Sequence, residues 1–236
     1  MSVTNGNDSG EGTLRDLIIN TTEPIIRIDV PSIVLDSTLY INRDVIIIGE
    51  HTIITVNDDG AFCPCAIACT GKVVLKKISL VGNHKNTPCS AIALKQGSLV
   101  MIKCRISDWT DGETVNRAIV NVINASLIMK GCLVNNNSGS AIVNQVCDLP
   151  GHYQSQVSKT TFTYNKSKQH LIQLGNSLNT GSVMRFNCLI SQVRLEENMI
   201  EPNTNSLTNS LCRLVYSRPN TTADIAVTQS VFNNNV

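Results

Sequence analysis

The chain has 236 residues, 42% of them apolar and 16% charged, with a formal net charge of +1. That is the size and apolar content of one large domain with a continuous core, and the lack of any basic run removes electrostatic attraction to nucleic acid or an anionic membrane surface. Aromatic residues are 4% of the chain, too few for the stacking platforms on which single-stranded nucleic acids and sugars are usually held.

Residues 1–20 are polar and Gly-rich and contain no apolar signal-peptide core, so the chain is expected in a reducing compartment. Leu14, Arg15, Asp16, Leu17, Ile18 and Ile19 follow Gly12 and Thr13. That run predicts a short amphipathic helix with Thr13 as its N-cap and Leu14, Leu17 and Ile18 on one face. The opening, Val3-Thr4-Asn5, then Asp8-Ser9-Gly10, then Gly12-Thr13-Leu14-Arg15 and Ile18, resembles the VTNxxDSGxGTLRxAI start of pectin-lyase-like β-helix proteins. That group includes surface and adhesin-type repeat proteins, polysaccharide lyases and viral proteins. The resemblance implies an all-β fold, a single-stranded right-handed parallel β-helix in which this helix lids the first coil. A solenoid's end otherwise exposes core and open strand edge. The resemblance carries no function with it, because one fold hosts many.

Downstream, one pattern recurs: apolar, any, apolar, two residues, a small residue or Cys, any, apolar, and often Asn. It runs through Val73, Leu75, Ile78 and Leu80, with Asn83 following, and then through Leu99, Met101, Cys104 and Ile106. Its clearest copy is Leu127, Met129, Cys132 and Val134 before Asn135-Asn136-Asn137. An earlier copy, Val45 to Gly49, centres on Glu50, and later ones centre on Thr160, Cys188 and Ser230. The steps between centres are then 28, 26, 28, 28, 28 and 42, and the long one implies an insertion. Small-apolar pairs at Ala66-Ile67, Ala91-Ile92, Ala118-Ile119, Ala141-Ile142 and Leu171-Ile172 repeat with the same period. Alternation, β-branched content and Gly/Asn/Asp punctuation mark these segments as strands. A repeat of about 28 residues made of short strands predicts a solenoid of about seven coils. Its strands stack about 4.8 Å apart, with Cys104, Cys132 and Cys188 in one inward column and the Asn residues in a turn ladder. The expected organisation is one domain over 1–236, with a cap over 1–22, coils over 23–236 and an insertion near 191–222. No apolar run reaches the ~20 residues of a membrane-spanning helix, so membrane insertion is not expected.

Candidate chemistry is sparse. The signatures of pectate lyases and polygalacturonases are missing apart from Asp58-Asp59-Gly60, and Asp-Asp-Gly is common in turns. Asp58 and Asp59, Asp111 and Glu113 fall at matching places after their repeat centres, with Lys85 at that place in the coil between. If the chain is an enzyme, these five residues would be an acid/base set or a calcium site along one face, with Trp109 nearby. The plainer reading is solvated turn acids and a surface ion pair of little energetic value. Cys63, Cys65 and Cys69 suggest zinc, but their spacing fits no standard site, and small buried thiols are the competing reading. His51, His84, His152 and His170 fall in predicted turns and form no triad. There is no phosphate-cradling Gly loop, and no cofactor is expected.

The functional expectation is a non-catalytic structural or assembly module, such as a minor capsid or spike protein of a virion, found in the particle or the host cytoplasm. Its partners would be other protein chains, or a second copy, meeting the C-terminal coil at Ile225, Val227, Val231 and Phe232. The alternatives are a polysaccharide lyase or glycoside hydrolase acting along the Asp58/Asp111 face, and a cell-surface adhesin fragment.

Overall fold

The computed structural model describes residues 1–57, 65–82, 89–110, 118–176, 184–201, 210–215 and 221–235. These residues are nearly all strand, with one helix, α1 (Leu14–Asn20). Every strand pairing among them is parallel, and each strand pairs with segments about one repeat before and after it, so the sheet curls like a solenoid.

The longest column of pairings joins Ser2–Val3, Ile25–Ile28, Val45–Val56, Cys65–Val81, Ser90–Ile102, Ala118–Lys130, Gly151–Ser158, Met184–Ser191 and Thr221–Thr228. It extends two layers further toward the N-terminus than the seven repeat centres. The two extra layers were invisible to the pattern because Ser2–Val3 and Ile25–Ile28 are too short to carry it.

Side chains alternate out and in with the period of a strand. Ile25–Ile28 and Ser32–Leu35 both read exposed, buried, exposed, buried. Stacking in register turns that alternation into columns. Ile47, Leu75, Met101, Met129, Val157 and Ile190 form one. Ile54, Leu80, Ile106, Val134, Phe162 and Leu195 form another. All of these are buried, and each such side chain contributes about 1.5–3 kcal/mol of burial.

The register corrects two of the repeat centres and the steps beside them. Thr52, not Glu50, stands opposite Ile78, because Gly49, Glu50 and His51 are accommodated by a register shift with His51 at φ 67°. Cys188 is not in the column of Cys104 and Cys132. It pairs with Ser155 and Ile225 and continues the column of Leu99 and Leu127. The column of Cys132 continues instead through Thr160 and Val193 to Ser230, as the neighbouring pairs show. The last two steps are therefore 33 and 37 residues, not 28 and 42. The small-apolar pairs keep phase from Ile67 to Ile92 and from Ala118 to Ala141, but slip by one residue where Ile92 stands opposite Val120 and where Ala141 stands opposite His170.

The strands turn sharply at two further columns of residues with positive φ. One is Lys77, Lys103, Gly131, Lys159, Gln192 and Gln229, and the other Asp108, Asn136, Tyr164, Glu197 and Asn234. Immediately after the second column comes the expected Asn ladder. Nδ2 of Asn137 donates to Oδ1 of Asn165, Asn165 to Asn198, and Asn198 to Asn235, at 2.9, 2.9 and 3.0 Å.

At the N-terminal end, Thr13 caps α1 by accepting from the Asp16 backbone N–H, and Leu14, Leu17 and Ile18 are buried. Arg15 ties the helix to the carbonyls of Ser37 and Thr38, and Arg43 reaches the carbonyls of Leu17 and Ile18 at its far end. Val3 of the first layer and Ile26 and Ile28 of the second are buried, in one core cluster with Leu14, Leu17 and Ile18.

Candidate interaction surface and the other candidate sites

The acidic set lies outside the described residues: Asp58, Asp59, Lys85, Asp111 and Glu113 all do, as does Cys63. Trp109, the ring expected beside that set, is described, and it is not a surface platform. It is buried, its indole N–H donates to the Leu80 carbonyl at 3.0 Å, and its backbone N–H donates to Oδ1 of Asn137. Trp109 thus occupies the first rung of the Asn ladder, and its indole N–H does the work of an amide.

Leu39–Ile41 and the strands Cys65–Val81, Ser90–Ile102 and Ala118–Lys130 carry an outward row of Tyr40, Ala68, Ala93 and Asn121 in register. Small side chains in the middle of that row leave a groove of about 430 Å³, bordered by Tyr40, Asn42 and Lys95. Tyr40 is exposed. Neither the groove nor its small floor carried a sequence signal, because two alanines on a strand look alike whichever way they face.

Cys65 and Cys69 are buried. Burial, and second the neighbouring Cys65, pushes the Cys69 thiol up to about 12, so it stays protonated at neutral pH and is a core thiol in this setting. Among the described residues no group of three or more His, Cys, Asp or Glu is placed to hold a metal ion.

His170 departs most from expectation. It lies within the strand Lys166–Asn176, is buried, and has fixed partners. Its Nδ1 is 3.2 Å from Oγ of Ser210, and its Nε2 is 3.1 Å from a guanidinium nitrogen of Arg213. Arginine only donates, so Nε2 accepts and the ring proton sits on Nδ1, pointing at Ser210. A histidine donating to that hydroxyl cannot also take its proton, so this is no activated serine. Desolvation, and then the Arg213 charge, hold the His170 pKa below its ordinary value. Its partners are 40 and 43 residues away, which is why nothing local pointed to them. His152 is also on a strand, Gly151–Ser158, and is exposed.

The C-terminal coil combines Thr221–Thr228 with Val231–Asn233. Ile225 stacks on Cys188, Val227 on Ile190 and Phe232 on Leu195, so all three continue inward columns. They are nevertheless 44%, 50% and 47% exposed. A pocket of about 540 Å³ lies against this end of the column, lined by Ser155, Cys188, Ile225 and their strand neighbours. Val231 differs from the other three. It stands opposite Arg194, in the outward column of Thr161, Leu133 and Arg105. Its exposure is that of an outer-face residue and says nothing about an uncovered core.

No family model, curated protein or solved structure matches this chain.

Proposed function

We propose that this chain is a single-stranded right-handed parallel β-helix serving as a non-catalytic structural module, docked through its C-terminal coil to another protein chain of a larger assembly. The hand follows from the near-universal right-handedness of crossovers between parallel strands. One observation carries the docking reading: the same inward columns are buried where they begin, at Val45, Ile26 and Ile33, and open at Ile225, Val227 and Phe232. Apolar area left in water costs about 25 cal/mol per Å². Strand edges that remain free are usually guarded by lysine, proline or a bulge, yet residues 225–235 include no charged residue and no proline. A rigid rod with buried, free thiols suits a virion component assembled in a host cytoplasm, such as a minor capsid or spike protein.

The test is sedimentation of the tagged chain from the cells that produce it naturally. The wild-type chain is expected in a complex far larger than its own 25.6 kDa. Val227→Lys, with its β-sheet circular dichroism retained, should run at the mass of the chain alone. Both forms running at that mass would rule docking out.

The groove beside Tyr40 favours a second reading, a polysaccharide lyase or glycoside hydrolase using Asp58, Asp59, Lys85, Asp111 and Glu113. Turnover of a polysaccharide that Asp59→Asn or Asp111→Asn abolishes, in a folded protein, would establish it in place of the first.

A further inference from the structure

The sequence has no basic run, yet the stacking of the coils builds one. Four consecutive layers carry residues 72–81, 98–107, 126–135 and 154–163 in register. These four segments hold seven of the chain's 19 Lys and Arg and none of its 18 Asp and Glu. Six of the seven, Lys76, Lys77, Lys103, Arg105, Lys130 and Lys159, gather at and beside one turn column, because residues one repeat apart stack about 4.8 Å from each other. Lys103, Arg105, Lys130 and Lys159 are exposed. Acids bound this ridge at its two ends, where Glu50 pairs with Lys77 at 2.7 Å and Glu196 with Arg194 at 2.6 Å. Between them, Lys103, Lys130 and Lys159 have no ion pair among the described residues.

The turn itself disfavours these side chains. Lys77, Lys103 and Lys159 have φ of 52°, 52° and 50°. That left-handed conformation is strained for a residue with a Cβ, and Gly, Asn or Asp usually fills it. Asp108, Asn136 and Asn234 do so in the second turn column. Lys77 and Lys103 also stand in adjacent layers, and like charges set opposite each other are destabilising. Strain and repulsion at cations with no partner inside the chain are relieved by negative charge brought from outside.

We propose that this ridge binds a sulfated polysaccharide, lying along the solenoid axis with successive sulfates over the cations of successive layers. The layer spacing is close to the length of one sugar ring in an extended chain, so charges meet without bending the polymer. Such a chain is held by charge and needs no stacking ring. Single-stranded nucleic acid does rely on stacking, and the one aromatic residue in the four segments, Phe162, is buried. Duplex DNA is read in its grooves and carries a charge per ~1.7 Å of axis, whereas the ridge is a convex turn a few side chains wide. An anionic membrane offers its charge in a plane, and the strands on both sides of this turn fall away from such a plane. The ridge lies apart from the C-terminal coil and from the Tyr40 groove, so it stands whichever of the two readings above holds.

Heparin is the probe, titrated calorimetrically into the full chain. Binding is expected, and it should weaken as salt rises, since the counterions released by any polyanion oppose it. Lys103→Gln, Lys130→Gln and Lys159→Gln together should weaken it at least about tenfold and lower the salt slope by about three, one for each cation removed. Glutamine already fills this turn column at Gln192 and Gln229, so the fold should hold, as β-sheet circular dichroism checks. The same charge change made outside the ridge, at Lys95, Lys166 and Arg185, should leave binding within about twofold, because distant surface charges are screened. Equal losses in the two triple variants would overturn the ridge as the site. No heparin binding, or equal binding of desulfated heparin, would overturn a sulfated partner. Tighter binding of a single-stranded oligonucleotide or of phosphatidylserine vesicles, lost with the same three lysines, would overturn the polysaccharide as the occupant.

Discussion

Gly97 and Gly131 have positive φ, 94° and 66°, yet their surroundings set very different demands. A Cβ on Gly97 would come to 2.0 Å from the Gly71 carbonyl oxygen, a contact with backbone that cannot move aside. A Cβ on Gly131 meets only the flexible Lys103 side chain at 3.7 Å, and the equivalent positions are lysine or glutamine in the other coils. Gly97→Ala should therefore cost more than about 3 kcal/mol or prevent folding, whereas Gly131→Ala should cost about 1 kcal/mol, the price of the left-handed conformation. Urea unfolding of the two variants reads the difference, and equal costs would contradict the register. His170 gives a residue-scale pH dependence. Its folded pKa lies below the ordinary 6.5 because of burial and Arg213, so the unfolded chain binds the extra proton first. Stability from this group is present above about pH 6.5 and falls as the pH drops toward the folded pKa. His170→Gln should flatten that part of the unfolding-versus-pH curve; an unchanged slope would show that other groups set it.

In the Asn ladder the single rung is the unit that matters. Asn165 accepts from the backbone N–H and Nδ2 of Asn137 and donates to Asn198 and to the Val134 carbonyl, all in a buried setting. Asn165→Ala removes these bonds and orphans a backbone donor, so it should cost about 2–4 kcal/mol. Asn136, one residue before the ladder in its coil, lies at the exposed turn, and Asn136→Ala should cost under about 1 kcal/mol. Comparable losses in thermal unfolding would mean that the ladder bonds do not hold the coils. The ladder was legible in the sequence at Asn137 because three asparagines follow the clearest copy of the pattern. Its first rung was not, because Trp109 is there instead and reads as an isolated aromatic. The Cys188 misplacement has a similar cause. A cysteine 28 residues after Thr160 mimics the period, while the true equivalent, Val193, belongs to a coil five residues longer. Local pattern cannot count residues added in a connection. Only the pairing of Thr161 with Arg194 does so.

Over the whole molecule, equivalent side chains in one column differ in what covers them, and that makes column position a measurable quantity. Met101 has Leu75 on one side and Met129 on the other and is fully buried. Val227 continues the same column after Ile190 but is half exposed. Truncating Met101 leaves a cavity that the stacked layers hold open, so Met101→Ala should cost about 2–4 kcal/mol. Val227→Ala in the isolated chain should cost less than about 1 kcal/mol, since only half of its surface leaves water on folding. Phe232, paired with fully buried Phe162 through Leu195, should behave like Val227 despite its size. The acidic set had no such internal check in the sequence, because Asp58, Asp59, Lys85, Asp111 and Glu113 belong to no apolar alternation, and all five lie outside the described residues. Inward strand residues did, which is why Leu75, Leu80, Met101, Ile106, Met129, Val134, Phe162 and Ile190 were legible as core and are buried, while Phe232, read from the same pattern, continues an inward column but is half exposed. Covering the end coil changes the prediction in one direction. With residues 110–137 of the chain appended after Asn235 as a further layer, the cost of Val227→Ala should rise toward that of Met101→Ala, because the same side chain then has neighbours on both sides. Urea unfolding of the four proteins, with and without the layer, measures that shift. No rise on covering would show that Ile225, Val227 and Phe232 are not column ends.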